Sequence, residues 1–471
     1  MLTVDVVLEA LLGRPARASD RVITDAAIDS RLVIPGSLFV ALPGEHADGH
    51  DFVADAFQRG ALLALIDRKV QLEVPVLDLR RKSGQLPPVE LPCALRVKDT
   101  LQALQTIARH WRARLDLRVI GITGSVGKST TKEVAADLLG RRYRTHKNPG
   151  NLNNEIGLPL SLLQVTPAHE RAVLEMGFYV PGEIALLCDI ARPEVGVVTN
   201  ISQVHLERAG SMEAIIQGKG ELVEALPPAP EGTAILNYDE PEVRGMARRT
   251  RAAVFHYGLS DQADLWASDI EGLGLEGVRF VLHHRGERFH VRVPMLGRHS
   301  VHTALRAAAV GLVEGLNWDE ILTGLQRSQS QLRLVAVSGP GGSLLLDDTY
   351  NAAPTSVIAA LNLLEELEGR RVAVLGDMLE LGGFEEHGHR LVGARAAEVV
   401  EELVTVGPRA RWIGEEAVRA GLPESRLTML EESQQAVEHL RGRIGAGDVV
   451  LIKGSRGVRM DLIVSALEEA E

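Results

Sequence analysis

The run Gly121-Ile-Thr-Gly-Ser-Val-Gly-Lys-Ser-Thr130 combines residue types at a spacing that suits one chemistry, the holding of phosphate. Glycines let a backbone double back so that successive N–H groups converge on a single anion. Lys128 can reach the terminal phosphates of a nucleotide, and the Ser129 hydroxyl stands where a Mg²⁺ ligand belongs. Gly124, Ser125, Gly127 and Thr130 complete the cradle, and a helix starting near Lys128 adds its positive end. The spacing departs from G-x-x-x-x-G-K-[ST] because Gly121 falls one residue early, while the core T-G-x-x-G-K-S is intact. ATP is the expected ligand, but the loop alone does not separate a kinase, an ATPase and a ligase.

Other candidates sit where such a ligand would need them. Glu175 ends an apolar strand, an awkward place for a lone carboxylate without a cation. His205 follows a strand over residues 195–199 and its loop, which places it at the carboxyl edge of a sheet. Asn151, Asn153 and Asn154 make an amide-rich loop after Gly150. The loops carrying Asp377 and Glu380, and Lys453, Ser455 and Arg456, also follow strands, at the edge where ligands gather. Arg456 can grip a carboxylate through two parallel hydrogen bonds.

These residues need elements to position them. The apolar strand over residues 118–123 runs into the glycine loop, and runs at 172–174, 195–199 and 234–236 alternate with helical patterns. That alternation predicts βαβ units around a mainly parallel sheet. Upstream, Leu101, Leu104, Ala108 and Trp111 share one helical face, after a polar, Pro-rich connection at 80–92. A further segment begins near Leu332, with strands at 344–346, 372–375 and 449–452, each followed by a turn and a helix. Val357, Ile358, Leu361 and Leu364 form the apolar stripe of the first of those helices. The fold class is α/β in three domains, 1–98, 99–331 and 332–471, the last a doubly wound unit.

Length agrees, since 471 residues at about 150 per domain suggest three. The formal charge of −12 argues against nucleic-acid binding and means that an anionic ligand must be held by local Lys, Arg and N–H groups. No run approaches the roughly 18 apolar residues of a membrane span. Asp5 and Glu9 interrupt the mildly apolar residues 1–13 and no basic segment precedes them, which argues against a signal peptide and for the cytoplasm. Cys93 and Cys188 lie far apart in sequence and read as two half-buried core thiols of a reducing compartment.

With its neighbours added, the chain resembles the Mur ligase family over essentially its whole length. The likeness rests on Asp29-Ser-Arg31, Pro35-Gly36, Leu38-Phe-Val-Ala-Leu-Pro-Gly44 and Asp48-Gly-His-Asp-Phe52 in the first segment. In the second it rests on the phosphate loop, Gly150-Asn-Leu-Asn-Asn-Glu-Ile-Gly157, Glu175-Met-Gly177, Thr199-Asn-Ile201 and His205-Leu206. In the third it rests on Asp347-Asp-Thr-Tyr-Asn351, Gly376-Asp-Met-Leu-Glu-Leu-Gly382 and Lys453-Gly-Ser-Arg456. The last three blocks resemble the branch that adds D-Ala-D-Ala to a UDP-N-acetylmuramoyl-tripeptide, and the D-N-P-R motif of the diamino-acid-adding branch is absent.

The resemblance implies an ATP-dependent amide ligase working through an acyl phosphate, in a monomer that needs neither nucleic acid nor membrane. It implies a UDP-binding first domain using Ser30 and Arg31, a central P-loop domain and a Rossmann-like third domain. Ser129, Glu175 and His205 would hold two Mg²⁺ ions, and Lys219 would be carbamoylated by CO₂. His299, Arg333 and Asp348 would hold the adenine, a phosphate and the ribose. Asn151, Asn154, Tyr350, Asn351, Asp377, Glu380, Lys453, Ser455 and Arg456 would face the substrates. The ATP site would lie between the second and third domains and be completed by closure. Three places depart from the family pattern: Ser300 and Thr303 replace two amides near the adenine, Ala353 replaces another, and Ser330-Gln-Leu-Arg333 lacks the usual Pro or Gly lead. Rival readings are a sister amide ligase of the diamino-acid or folylpolyglutamate type, and a nucleotide-dependent regulatory protein that no longer ligates.

Overall fold

A computed structural model describes residues 1–44, 47–80, 88–203, 206–327 and 334–468. His205 and Arg333 therefore lie outside the described residues. Three sheets order the chain, one for each expected domain, and each follows from buried apolar runs that need cover on both faces. The first has five parallel strands in the spatial order Ala26–Ala27, Leu38–Val40, Leu63–Ile66, Cys93–Arg96 and Val76–Asp78.

The central sheet has nine strands. Seven of them run parallel, with Arg118–Thr123 between Val195–Val198 and Arg171–Glu175. The expected strands at 172–174, 195–199 and 234–236 are there, as Arg171–Glu175, Val195–Val198 and Thr233–Asn237. An antiparallel hairpin, Val278–His284 with Glu287–Val293, extends one edge. Its polar, alternating strands gave no βαβ signal. The third sheet has six strands and contains Ser343–Asp348, Asp448–Lys453 and Arg370–Gly376 side by side. Its antiparallel edge strand is Val335–Gly339.

The helix Thr100–Arg112 is capped by Asp99, whose side chain accepts from Gln102 N. Leu104, Ala108 and Trp111 are buried on its inner face, as the periodicity predicts, and Trp111 Nε1 donates to Val165 O at 2.9 Å. This helix joins two layers. One continuous apolar core runs from the helix Val4–Leu12 and the first sheet through Thr100–Arg112 into the central domain as far as Leu222. The apolar character of residues 1–13 thus belongs to a buried helix. The third domain has its own cores, drawn from residues 345–467. Among the described residues no helix is long and apolar enough to cross a membrane.

Both cysteines are fully buried, not half-buried as the sequence suggested: Cys93 inside the first sheet and Cys188 with its thiol toward Met176. Burial pushes the Cys93 thiol up to about 11 and that of Cys188 higher still, so both remain protonated.

Candidate active site

The phosphate loop forms because strand Arg118–Thr123 ends in residues only glycine tolerates. Gly124 has φ +141° and Gly127, the N-cap of helix Lys128–Leu139, has φ +82°. A Cβ on Gly124 would stand 1.9 Å from Thr199 Oγ1, so the loop lies directly against the end of the neighbouring strand. Side chains and backbone lock the two together. Asn200 Oδ1 accepts from Val126 N at 2.8 Å, Thr199 Oγ1 donates to Val126 O at 2.7 Å, and Ser125 Oγ accepts from Ser202 N at 2.8 Å. Lys128 Nζ folds back onto the carbonyls of Gly124 and Ser125, at 2.8 and 3.2 Å.

Beside the loop, Glu175 ends its strand almost fully buried. Its Oε1 accepts from Asn153 Nδ2 at 2.8 Å, and its Oε2 is a buried acceptor with no hydrogen-bond partner. An orphaned carboxylate oxygen there fits a cation. Asn148 holds the backbone of Glu175 in both directions: its Oδ1 accepts from Glu175 N at 2.9 Å and its Nδ2 donates to Glu175 O at 3.2 Å. Behind it, the buried Lys132 donates to Asn148 O and Gly150 O at 2.7 and 3.0 Å and pairs with Glu133. Asn153 was named from sequence only as a loop residue, and Asn148 and Lys132 were not singled out, because their role lies in tertiary contacts. Asn154 accepts from Gly157 N and so caps the helix Gly157–Leu163, while Asn151 is exposed.

Lys219 lies on the helix Met212–Glu224 and is 1% exposed, its ammonium 4.5 Å from the centre of the Phe178 ring. Burial first, and the charge of Lys128 second, hold its pKa well below that of an ordinary lysine. Among the described residues no carboxylate pairs with it. Nor do those residues include a cluster of three or more His, Cys, Asp or Glu arranged to hold a metal. A Mg²⁺ ion bound through one or two carboxylates and the phosphates of a nucleotide needs no such cluster.

Between the central and third domains lies a cavity of about 310 Å³. The phosphate loop lines one wall through Ser125, Gly127 and Thr130, and the third domain lines the other through Asp348, Asn351 and Lys453. Lys453, at the end of its strand, donates to Asp348 Oδ2 at 2.7 Å and to Asn351 O at 2.9 Å. His299 lines the cavity near Met295 and Leu296; its side chain is open to the cavity, and the surrounding walls together with the charges of Arg306 and Lys453 push its pKa down. Two of the substituted positions, 300 and 353, are accounted for locally. Ser300 Oγ donates to Leu296 O at 2.6 Å, and Ser356 Oγ accepts from Ala353 N at 3.0 Å, closing the turn that an amide at 353 would order.

Other sequence candidates fall around this centre. Ser455 Oγ accepts from Leu379 N at 2.9 Å, tying the 376–382 loop to its own. Asp377 is buried with its Oδ1 taken by the N–H groups of Arg409 and Ala410, at 2.9 and 2.7 Å. Glu380 faces Arg208 of the central domain at 3.9 Å, and Arg208 stacks over Tyr179 at 4.5 Å. Tyr350 and Arg456 are exposed. Ser30 and Arg31 sit on the first domain and do not line the cavity. Arg31 is forked onto Asp29, whose carboxyl that guanidinium holds down to about 2.

Family models match the chain in three pieces: a Mur ligase family catalytic domain over residues 22–112, a Mur ligase middle domain over 122–311, and a Mur ligase glutamate ligase domain over 332–456. The chain belongs to the Mur ligase family and is an ATP-dependent ligase with the three-domain fold of that family. It is 35% identical to the UDP-N-acetylmuramoyl-tripeptide–D-alanyl-D-alanine ligase of Bacillus subtilis, over 99% of this chain and 98% of that protein. With the enzyme of that name from Escherichia coli it shares 33% over 98% of this chain and 97% of that one. MurF from Acinetobacter baumannii superposes with a TM-score of 0.82 at 28% identity, covering 98% of both chains. MurF ligase from Thermotoga maritima in complex with ADP gives 0.78 at 28%, covering 95% of this chain and 98% of that one.

Proposed function

We propose that this chain joins D-alanyl-D-alanine to UDP-N-acetylmuramoyl-tripeptide, with ATP as the source of energy, in the making of peptidoglycan precursors. One observation supports it most: the cavity whose walls are the phosphate loop on one side and Asp348, Asn351 and Lys453 on the other. A nucleotide in that cavity would touch two domains, so its binding favours their closure over the reacting groups. The domains run 1–98, 99–331 and 332–471, the first a handle for the uridine nucleotide through Ser30 and Arg31. Binding energy from that remote group helps to place the reacting carboxylate.

In this reading the terminal carboxylate of the tripeptide attacks the γ-phosphorus of ATP, ADP leaves, and an acyl phosphate remains. The dipeptide amine then attacks the acyl carbon, forming the amide and releasing phosphate. Two anions must meet, so charge neutralisation and positioning do most of the catalysis. Lys128 swings from its carbonyl contacts to the β- and γ-phosphates, and Thr130 and the loop N–H groups hold the rest of the chain. His299 flanks the adenine, Asp348 takes the ribose, and Arg333 contacts a phosphate. Ser129, Glu175 and His205 are the residues that would hold two Mg²⁺ ions, which supply charge neutralisation at the phosphates.

Burial favours the uncharged Lys219 amine, the form that reacts with CO₂, and the carbamate would place an anion beside Lys128 and the metal sites. Asn151, Asn154, Tyr350, Asn351, Asp377, Glu380, Lys453, Ser455 and Arg456 form the substrate side, with Asp377 acting through the loop it caps. The enzyme works as a cytoplasmic monomer. ADP release measured with UDP-muramoyl-tripeptide and either D-Ala-D-Ala or single amino acids tests the reading. Turnover with the dipeptide alone is expected, and turnover only with a free diamino acid on the dipeptide precursor would overturn the assignment.

A further inference from the structure

Thr303, which departs from the family pattern together with Ser300, leads to a residue that no sequence argument singled out. Arg306 lies one turn further along the helix Ser300–Val313, is 4% exposed, and lines the nucleotide cavity. Its Nη2 donates to Thr303 Oγ1 at 2.8 Å, and its Nε is buried without a partner. The guanidinium packs against the phosphate loop: a Cβ on Gly127 would meet Nη2 at 3.0 Å. Its neighbours compensate it only in part. The Tyr257 ring centre is 6.0 Å away, and its hydroxyl, which donates to Thr199 O, also accepts from the guanidinium, while the Glu240 carboxylate acts on it through charge without forming an ion pair. Glu240 lines the same cavity but gives its Oε2 to Ile201 N at 3.0 Å, and Asp239 caps the N–H groups of Leu259 and Ser260. Among the described residues no carboxylate pairs with Arg306.

A guanidinium cannot shed its charge by titration, so a buried one with no carboxylate in direct contact is fully matched only when an anion arrives. The anion that enters this cavity is the phosphate chain of the nucleotide, and Arg306 stands beside the loop built to hold it. We infer that Arg306 is a nucleotide-binding residue that donates to the phosphate chain of the bound nucleotide. The inference rests on the reading of the cavity as the ATP site. Thr303 and the Tyr257 hydroxyl act as braces for the fork, while Nε stays available. In a chain of net charge −12 such a local cation is the required kind of device.

The test is calorimetric binding of ADP and of adenosine to the full-length chain and to two variants. Arg306→Met removes the charge, and Arg306→Gln removes it while keeping a donor for Thr303. The expected result is a loss of about 10- to 100-fold in ADP affinity, the range for one charge-assisted hydrogen bond, with adenosine affinity held within about twofold. Far-UV circular dichroism and the melting temperature check that each variant is folded, and either folded variant decides the matter. ADP affinity unchanged in a folded variant overturns the inference and leaves the ATP site intact. Equal losses for ADP and adenosine in a folded variant overturn it too, by moving the contact to the base. A wild-type chain that binds neither ligand overturns the reading of the cavity itself.

Discussion

Replacing Lys132 by methionine should injure catalysis far more than stability. The ammonium of Lys132 is 1% exposed and makes two hydrogen bonds to the carbonyls of Asn148 and Gly150, besides its contact with Glu133. Each such bond to a charged group contributes about 1.5–3 kcal/mol, so their loss costs about 3–6 kcal/mol. Against that, burying an ammonium carries a desolvation penalty of several kcal/mol, which methionine of similar length does not incur. The net destabilisation is therefore about 1–3 kcal/mol, a modest shift in a urea midpoint. Catalysis has no such compensation. The 148–150 segment that Lys132 holds is what fixes Glu175, through Asn148 on its backbone, and Asn153 on its carboxylate follows in the same loop. A displacement of about 1 Å in a positioned catalytic group costs on the order of a hundredfold. The assay pairs urea denaturation with ADP release, and kcat should fall by about that factor while the KM for ATP changes little. A variant with wild-type kcat, or one whose kcat falls only as far as its folded fraction, would refute the chain of contacts.

Three other outcomes follow from the same geometry. Gly124→Ala sets a methyl 1.9 Å from Thr199 Oγ1 at φ +141°, so ADP binding should weaken about a hundredfold or more in calorimetry while the fold survives by circular dichroism. Glu314, whose side chain is fully buried, accepts from Arg118 and Arg171 at 2.7 and 2.5 Å; Glu314→Ala should cost about 2–4 kcal/mol in urea, somewhat below a fully buried case because both arginines are partly exposed. The pKa of Lys219 is lowered on folding, so the unfolded chain binds more protons between the folded and the ordinary lysine pKa, and stability from this group rises with pH across that window. In CO₂-free buffer Lys219→Met should therefore raise the melting temperature most at low pH, with the gain shrinking toward pH 10; a gain that grows with pH would contradict the burial argument.

Much of the fold was legible because its signals are local. A strand running into T-G-x-x-G-K-S needs glycine at 124 and 127 whatever surrounds it, and the stripe of Leu104, Ala108 and Trp111 reports one buried helix face. The antiparallel hairpin at 278–293 was missed because an edge strand with one wet face alternates weakly and carries charge. In the site, residue type at strand ends marked Glu175 and Lys453, the family resemblance marked Asp348, and the cavity gathers Asp348 and Lys453. Lys132 and Arg306 escaped notice for a common reason. Lysine and arginine on a helix ordinarily point to water, and only the packing of another element makes them buried donors. Asp377 shows the converse, a carboxylate placed by its strand end whose Oδ1 is taken by backbone N–H groups.

The apolar core that runs unbroken from the first sheet through Thr100–Arg112 into the central domain has a consequence for cooperativity. Two domains that share a core cannot melt separately, because losing one exposes the buried face of the other. The third domain is different: its cores are its own, and ion pairs such as Arg298 with Glu366 and Arg208 with Glu380 link it to the rest. The molecule is thus two mechanical bodies in three domains, a large amino-terminal block and a carboxyl-terminal one. Calorimetry should resolve two transitions, and ADP, lying across the seam between the blocks, should draw them together.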